Sequence, residues 1–180
     1  MKKLVVAALV LFGIVLVTGC NSSQSLQEYY IDNSENPNFI SLDVPTSILN
    51  LQESDLDETQ LKAYQSLRKL NLLAFKKTTD NAAEYTAEKA KVSAILKDKD
   101  YKELMKLNSE YGKGVIKYLG EDDAIDEVVI YGSSDDKGFA LIRVLGDDMN
   151  PAHIMQLMQA IQKADYDEEA LGEIGKFLKG

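Results

Sequence analysis

The chain of 180 residues has no tryptophan, one cysteine, one histidine and three prolines. A lone cysteine excludes an intramolecular disulfide. With a single histidine beside it, the usual Cys/His zinc sets are excluded as well. Any Ser-His-acid triad would have to use His153, and no Gly-x-Ser-x-Gly elbow exists to supply its serine. Basic side chains are outnumbered, 20 against 29 acidic, for a formal charge of −9. Such a surface repels nucleic-acid phosphates and anionic headgroups, so no nucleic-acid partner is expected. Gly112-x-Gly114 lacks the third glycine and the strand-to-helix context of a phosphate loop, and no cofactor is expected. The long apolar run, residues 4–17, falls short of the roughly 20 residues that a spanning helix needs.

That run is nonetheless informative. Lys2 and Lys3 precede it and Val17-Thr18-Gly19-Cys20 follows it, the charged start, short apolar core and small-residue end of an export signal. The tetrapeptide resembles the lipobox of bacterial lipoproteins, with Val17 where leucine is commoner. The resemblance implies cleavage between Gly19 and Cys20 and acylation of Cys20 on its sulfur and then on its nitrogen. Several acyl chains, at about 0.8 kcal/mol per buried methylene, exceed the marginal hold of one chain. Residues 1–19 are therefore read as a leader. Residues 20–37, polar from Asn21 to Pro37, are read as a flexible tether holding the protein off the bilayer. Residues 38–180 are read as one domain. In lipoproteins an aspartate directly after the cysteine accompanies inner-membrane retention. Asn21 stands there and the first acid is Glu28, so the expected place is the outer membrane, facing the periplasm.

From Phe39 onward the hydrophobic period switches between two and about 3.6. Phe39 to Val44 reads as a strand, with Pro45 opening a short helix through Leu51. Glu58 to Leu67 reads as a helix, Leu70 to Phe75 as a buried strand, and Asn81 with Glu84 as a capping pair for a helix through Leu96. A four-strand meander follows. Its strands are Tyr101 to Asn108, Val115 to Leu119, Asp126 to Tyr131 and Phe139 to Leu145, with turns at Gly112 to Gly114, Gly120 to Asp123 and Asp135 to Gly138. Asn150-Pro151 starts the cleanest helical stripe, Ile154, Leu157, Met158 and Ile161, and Asp167 to Lys179 reads as a last helix weakened by Gly172 and Gly175. The implied class is α+β, a largely antiparallel sheet of about five to six strands with helices packed on one face.

The stretch from about Leu61 to Lys163 carries Tyr101-Lys102-Glu103-Leu104-Met105, Asp126-Glu127-Val128-Val129-Ile130 and Val144-Leu145-Gly146-Asp147 before a helix. It resembles domain of unknown function 4252, found in Bacteroidetes lipoproteins. The resemblance implies a fold and an envelope location but brings no activity and no binding residues.

Candidate chemistry is sparse. His153 falls in the first turn of a helix and reads as a surface residue without a catalytic partner. The acidic pairs Asp122-Asp123, Asp135-Asp136 and Asp147-Asp148 could in principle bind calcium or serve a glycosidase. None has the alternating ligand spacing of a calcium loop, and aspartates are natural turn residues, so no metal site is assigned. Gly132-Ser133-Ser134 reads as hairpin loop, and Tyr29-Tyr30 as an aromatic pair that either contacts a partner or packs on the domain. No catalytic residue is assigned. The residue reading ranks a non-catalytic envelope lipoprotein, binding a protein or peptide at a sheet edge or groove, above a hydrolase acting on an envelope substrate and above a lipid or small-molecule carrier.

Overall fold

In a computed structural model, residues 24–49, 51–109 and 112–163 are described. Gly19, Cys20 and the helix expected over Asp167 to Lys179 lie outside them. The elements run α1 (Leu26–Asn33), β1 (Phe39–Pro45), two 3-10 turns (Thr46–Leu49 and Glu53–Asp55), α2 (Glu58–Ser66), β2 (Leu67–Lys76), α3 (Ala82–Ile95), β3 (Lys102–Ser109), β4 (Gly112–Gly120), β5 (Ile125–Ser134), β6 (Gly138–Met149) and α4 (Pro151–Lys163). The six strands form one antiparallel sheet in the order β1-β2-β6-β5-β4-β3. The α+β class and the meander stand as expected. Among the described residues, no helix is long and apolar enough to cross a membrane.

Three local readings change. The segment read as a tether is helical from Leu26, because Ser25 and Glu28 form a reciprocal capping box and Leu26, Tyr29 and Tyr30 turn inward at a spacing of three to four. Polar Ser and Asn residues around that short amphipathic stretch hid its stripe. Pro45 closes β1 instead of opening a helix. Asn81 does not cap α3 through Glu84. Its side chain accepts from the Thr78 amide at 2.7 Å, while Glu84 accepts from Asn38 at 2.7 Å, tying the β1 entrance to α3.

The helices also pack on both faces of the sheet, not on one. Leu26, Tyr29 and Tyr30 of α1 and Tyr85, Val92 and Ile95 of α3 share a core with Leu73, Phe75, Val129 and Leu141. On the opposite face, Ala63 of α2 and Ile154 and Leu157 of α4 pack with Ile116, Ile125, Val128 and Met149. The physical reason lies in β2, where Asn71 to Phe75 is buried at every position and not at every second one. A strand covered on both sides reads as a continuous apolar run.

On the α1 side the register lays side chains in cross-strand rows. Phe39, Phe75 and Phe139 align across β1, β2 and β6, with Phe39 edge-on to Phe75 at 5.0 Å and Phe75 stacked on Phe139 at 5.5 Å. Next comes Ser41, Leu73, Leu141 and Tyr131, and two residues further along the strands Asp43, Asn71 and Arg143. The face thus grades from aromatic to polar along the strands, with Tyr29 of α1 and Tyr85 of α3 on the aromatic part and Tyr30 of α1 on the polar part.

Burial sets the ionisation of several tyrosines. Burial first, then the Glu88 carboxylate beside it, pushes Tyr29 far above the ordinary phenol range, and burial does the same to Tyr30. Tyr101 is raised to about 12, again mainly by burial. Each has a folded value above the unfolded one of about 10, so each favours folding fully below about pH 10 and loses that contribution as pH rises, Tyr101 through about 12 and Tyr29 and Tyr30 only at still higher pH. Phenolate absorbance of the native chain at about pH 11 should fall short of nine ionised tyrosines and reach nine only on unfolding. Nine phenolates in a chain with intact circular dichroism would contradict this burial.

Candidate functional site

Beside α1 the polar row of Asp43, Asn71 and Arg143, with Glu127 next to it, lies at the floor of a cleft of about 700 Å³. Gln27, Tyr30 and Ile31 of α1 with its C-cap Ser34 make one wall, and Ser41 and Asp43 of the outer strand β1 make another. The floor centres on Arg143 and Glu127, both largely buried. Arg143 Nε donates to Glu127 Oε1 at 2.9 Å and Nη2 to Oε2 at 2.6 Å, a two-pronged ion pair between β6 and β5. The pair is diagonal in register, since Arg143 faces Val129 and Glu127 faces Leu145. Burial works against the arginine's charge, but the Glu127 carboxylate holds its pKa above the ordinary value.

Tyr30 closes the pair from above. Its ring centroid lies 5.3 Å from the guanidinium, and its hydroxyl donates to the Leu141 carbonyl at 2.8 Å, with the Asn71 carbonyl at 3.2 Å. Beside it Asp43 accepts from Lys69 at 2.7 Å and from the Asn71 side-chain amide. Lys69 first and Asn71 with it hold the Asp43 carboxyl below the usual aspartate range. Arg68 pairs with Asp147 at 3.2 Å at the rim.

The sequence-derived candidates lie elsewhere. Asp122, in the β4–β5 turn, pairs with Lys102 and accepts from Tyr118 at 3.1 Å. Asp135, in the β5–β6 turn, pairs with Lys89 at 2.8 Å. These two mark opposite ends of a ten-residue strand, roughly 30 Å apart. Asp147-Asp148 is not in a turn. It sits in a bulge of β6, where residues 146–148 oppose Asp126 alone, and Asp148 takes the left-handed conformation with φ 48°. Gly146 is required there because a Cβ would strike the Ser66 carbonyl at the end of α2. Gly132-Ser133-Ser134 belongs to β5, and Gly112 to Gly114 begins β4. His153 is half-buried in the first turn of α4, its amide donating to Asn150 Oδ1 at 3.2 Å. Tyr29-Tyr30 packs inward, with the Tyr29 hydroxyl on Glu88 at 2.8 Å. No group of three or more His, Cys, Asp or Glu among the described residues could hold a metal ion.

A family model for a domain of unknown function, DUF4252, matches residues 29–157. The chain belongs to the DUF4252 family. The match begins inside α1 and includes β1, so the DUF4252 unit extends upstream of the Leu61 to Lys163 stretch whose motifs suggested it. It takes in Tyr30, Asp43, Asn71, Glu127 and Arg143, the cleft constellation. No curated protein and no solved structure matches the chain.

Sequence reasoning passed over that constellation, although a signal for it exists. Arg143 interrupts Phe139 to Leu145, the most apolar strand, at a position whose alternate neighbours Phe139 and Leu141 face the core. A cation there requires an acid from an adjoining strand. Glu127 is the acid on β5 that shares its face.

Proposed function

We propose that this domain is a non-catalytic binding module of the cell envelope, anchored through an acylated Cys20 at the outer membrane and receiving an extended segment of a partner protein beside β1. The observation that carries the reading is the cleft at the outer strand of the described sheet, with floor charges that neutralise one another. A carboxylate clamped by both prongs of an arginine is a poor general base, because taking a proton would break the pair. The turn aspartates are tied to lysines and stand far apart, which leaves a hydrolase reading without converging groups. A lipid carrier is expected to have a largely apolar cavity, whereas Asp43, Arg68, Lys69, Asp126, Glu127 and Arg143 line this one.

An outer strand offers main-chain hydrogen bonds to a peptide, and the Asp43 and Asn71 groups offer side-chain selectivity next to them. Capture from native membranes with the full chain should return a protein in stoichiometric amount. Asp43→Arg should reduce its recovery at least tenfold, the loss expected when a charge contact worth about 1.4 kcal/mol is reversed. Undiminished recovery with the variant, or an empty capture with the unaltered chain, would overturn the peptide reading. Loss of palmitate labelling in Cys20→Ala, with labelling present in the unaltered chain, tests the anchor separately.

A further inference from the structure

We propose that the exposed side of α1 forms a membrane-apposed face, held against the headgroups by a leash too short for the domain to turn over. The proposal rests on the lipid-anchor reading and adds an orientation to it. Helix α1 is fixed from its first residue. Ser25 caps it reciprocally with Glu28, Gln24 Nε2 donates to Asp32 Oδ2 at 2.7 Å, and Leu26 and Tyr29 are fully buried. Cys20 precedes Ser25 by five peptide steps, which reach at most roughly 17 Å when extended. A domain of about 140 residues has a radius of gyration near 14 Å, so its full width exceeds the leash.

The start of α1 therefore stays beside the bilayer, and the α2–α4 side, on the far side of the sheet, cannot reach it. The outward residues of α1 and the turn that ends it are Gln27, Glu28, Ile31, Asp32, Ser34 and Glu35. Ile31, at the cleft wall, is 65 % exposed, a large apolar side chain that the interface is able to accept. Glu28, Asp32 and Glu35 make anionic headgroups a poor match, so the surface suited to this face is zwitterionic. Because α1 also walls the cleft, the cleft would open within the membrane-proximal layer.

The single cysteine makes the test direct, since acylation consumes it and an introduced cysteine becomes the only reactive thiol. Full-length lipidated chains carrying Ile31→Cys or Lys62→Cys, the latter on α2, would be labelled with an environment-sensitive fluorophore. They would then be reconstituted in phosphatidylcholine vesicles containing nitroxide-headgroup lipid. Severalfold stronger quenching at position 31 than at 62 is expected, and a 20-residue Gly/Ser insertion after Ser22 should abolish the difference while flotation persists. Equal quenching in protein that floats would overturn the orientation. Selectivity surviving the insertion would overturn the short leash as its cause. Protein that does not float and keeps a free Cys20 thiol would instead sink the anchor reading.

Discussion

Methionine in place of Arg143 should lower the unfolding free energy by about 3–5 kcal/mol at neutral pH, the usual cost of breaking a buried ion pair from one side. Glu127, 6 % exposed at its side chain, would keep its charge without a partner in a site closed by Tyr30. The variant's carboxyl should therefore rise above its unfolded value of about 4.3. A raised folded value favours the folded state below the unfolded pKa and loses that contribution as pH increases, so the deficit should shrink on acidification towards about pH 4. Replacing both partners, Glu127→Leu with Arg143→Met, removes two desolvated charges together. That double variant should stand within about 1 kcal/mol of the unaltered chain or above it. Urea denaturation of the three proteins at two pH values measures these differences. A single variant as stable as the unaltered chain would mean that water reaches the pair freely.

Starting the chain at Asn38, which removes α1, should abolish cooperative folding, whereas a chain starting at Ser22 should retain it. Leu26, Tyr29 and Tyr30 leave with the helix, and all three are core residues. Burying such side chains is worth roughly 1.5–3 kcal/mol each. Phe39, edge-on to Tyr29 at 6.2 Å, and the carboxylate of Glu88 would lose their cover as well. The sum reaches the roughly 5–15 kcal/mol that a domain has in total. Near-ultraviolet circular dichroism and a urea transition distinguish the outcomes. A sigmoidal transition at the same midpoint in both chains would return residues 20–37 to the status of a tether.

The elements most legible in the sequence were those whose signals are local. The helix expected from Glu58 is α2, and it starts where Asp57 accepts from the Thr59 and Gln60 amides in a capping box. The Asp135 to Gly138 turn places a glycine at φ 127°, where a Cβ would meet the Phe75 carbonyl, so turn chemistry and register specify the same residue. Short apolar runs bounded by the turns at Gly112 to Gly114, Gly120 to Asp123 and Asp135 to Gly138 mark the meander. Helix α1 escaped notice because eight residues of mixed polarity carry too little periodic signal against a polar flank. Asn81 was misread for a related reason, since a capping spacing says nothing about a competing amide at Thr78.

By itself the sequence determined an acidic chain with one cysteine behind a short apolar run, an antiparallel meander and the helices that flank it. Tertiary structure alone decided that the helices divide between two sheet faces, and that Asp43, Asn71, Glu127 and Arg143, separated by up to 100 positions, meet on one floor. The reason is physical. Caps, turns and alternation act over a few residues and are written in order along the chain. A buried ion pair or a cleft instead arises from strand register, which closes only when distant segments find one another and desolvate together.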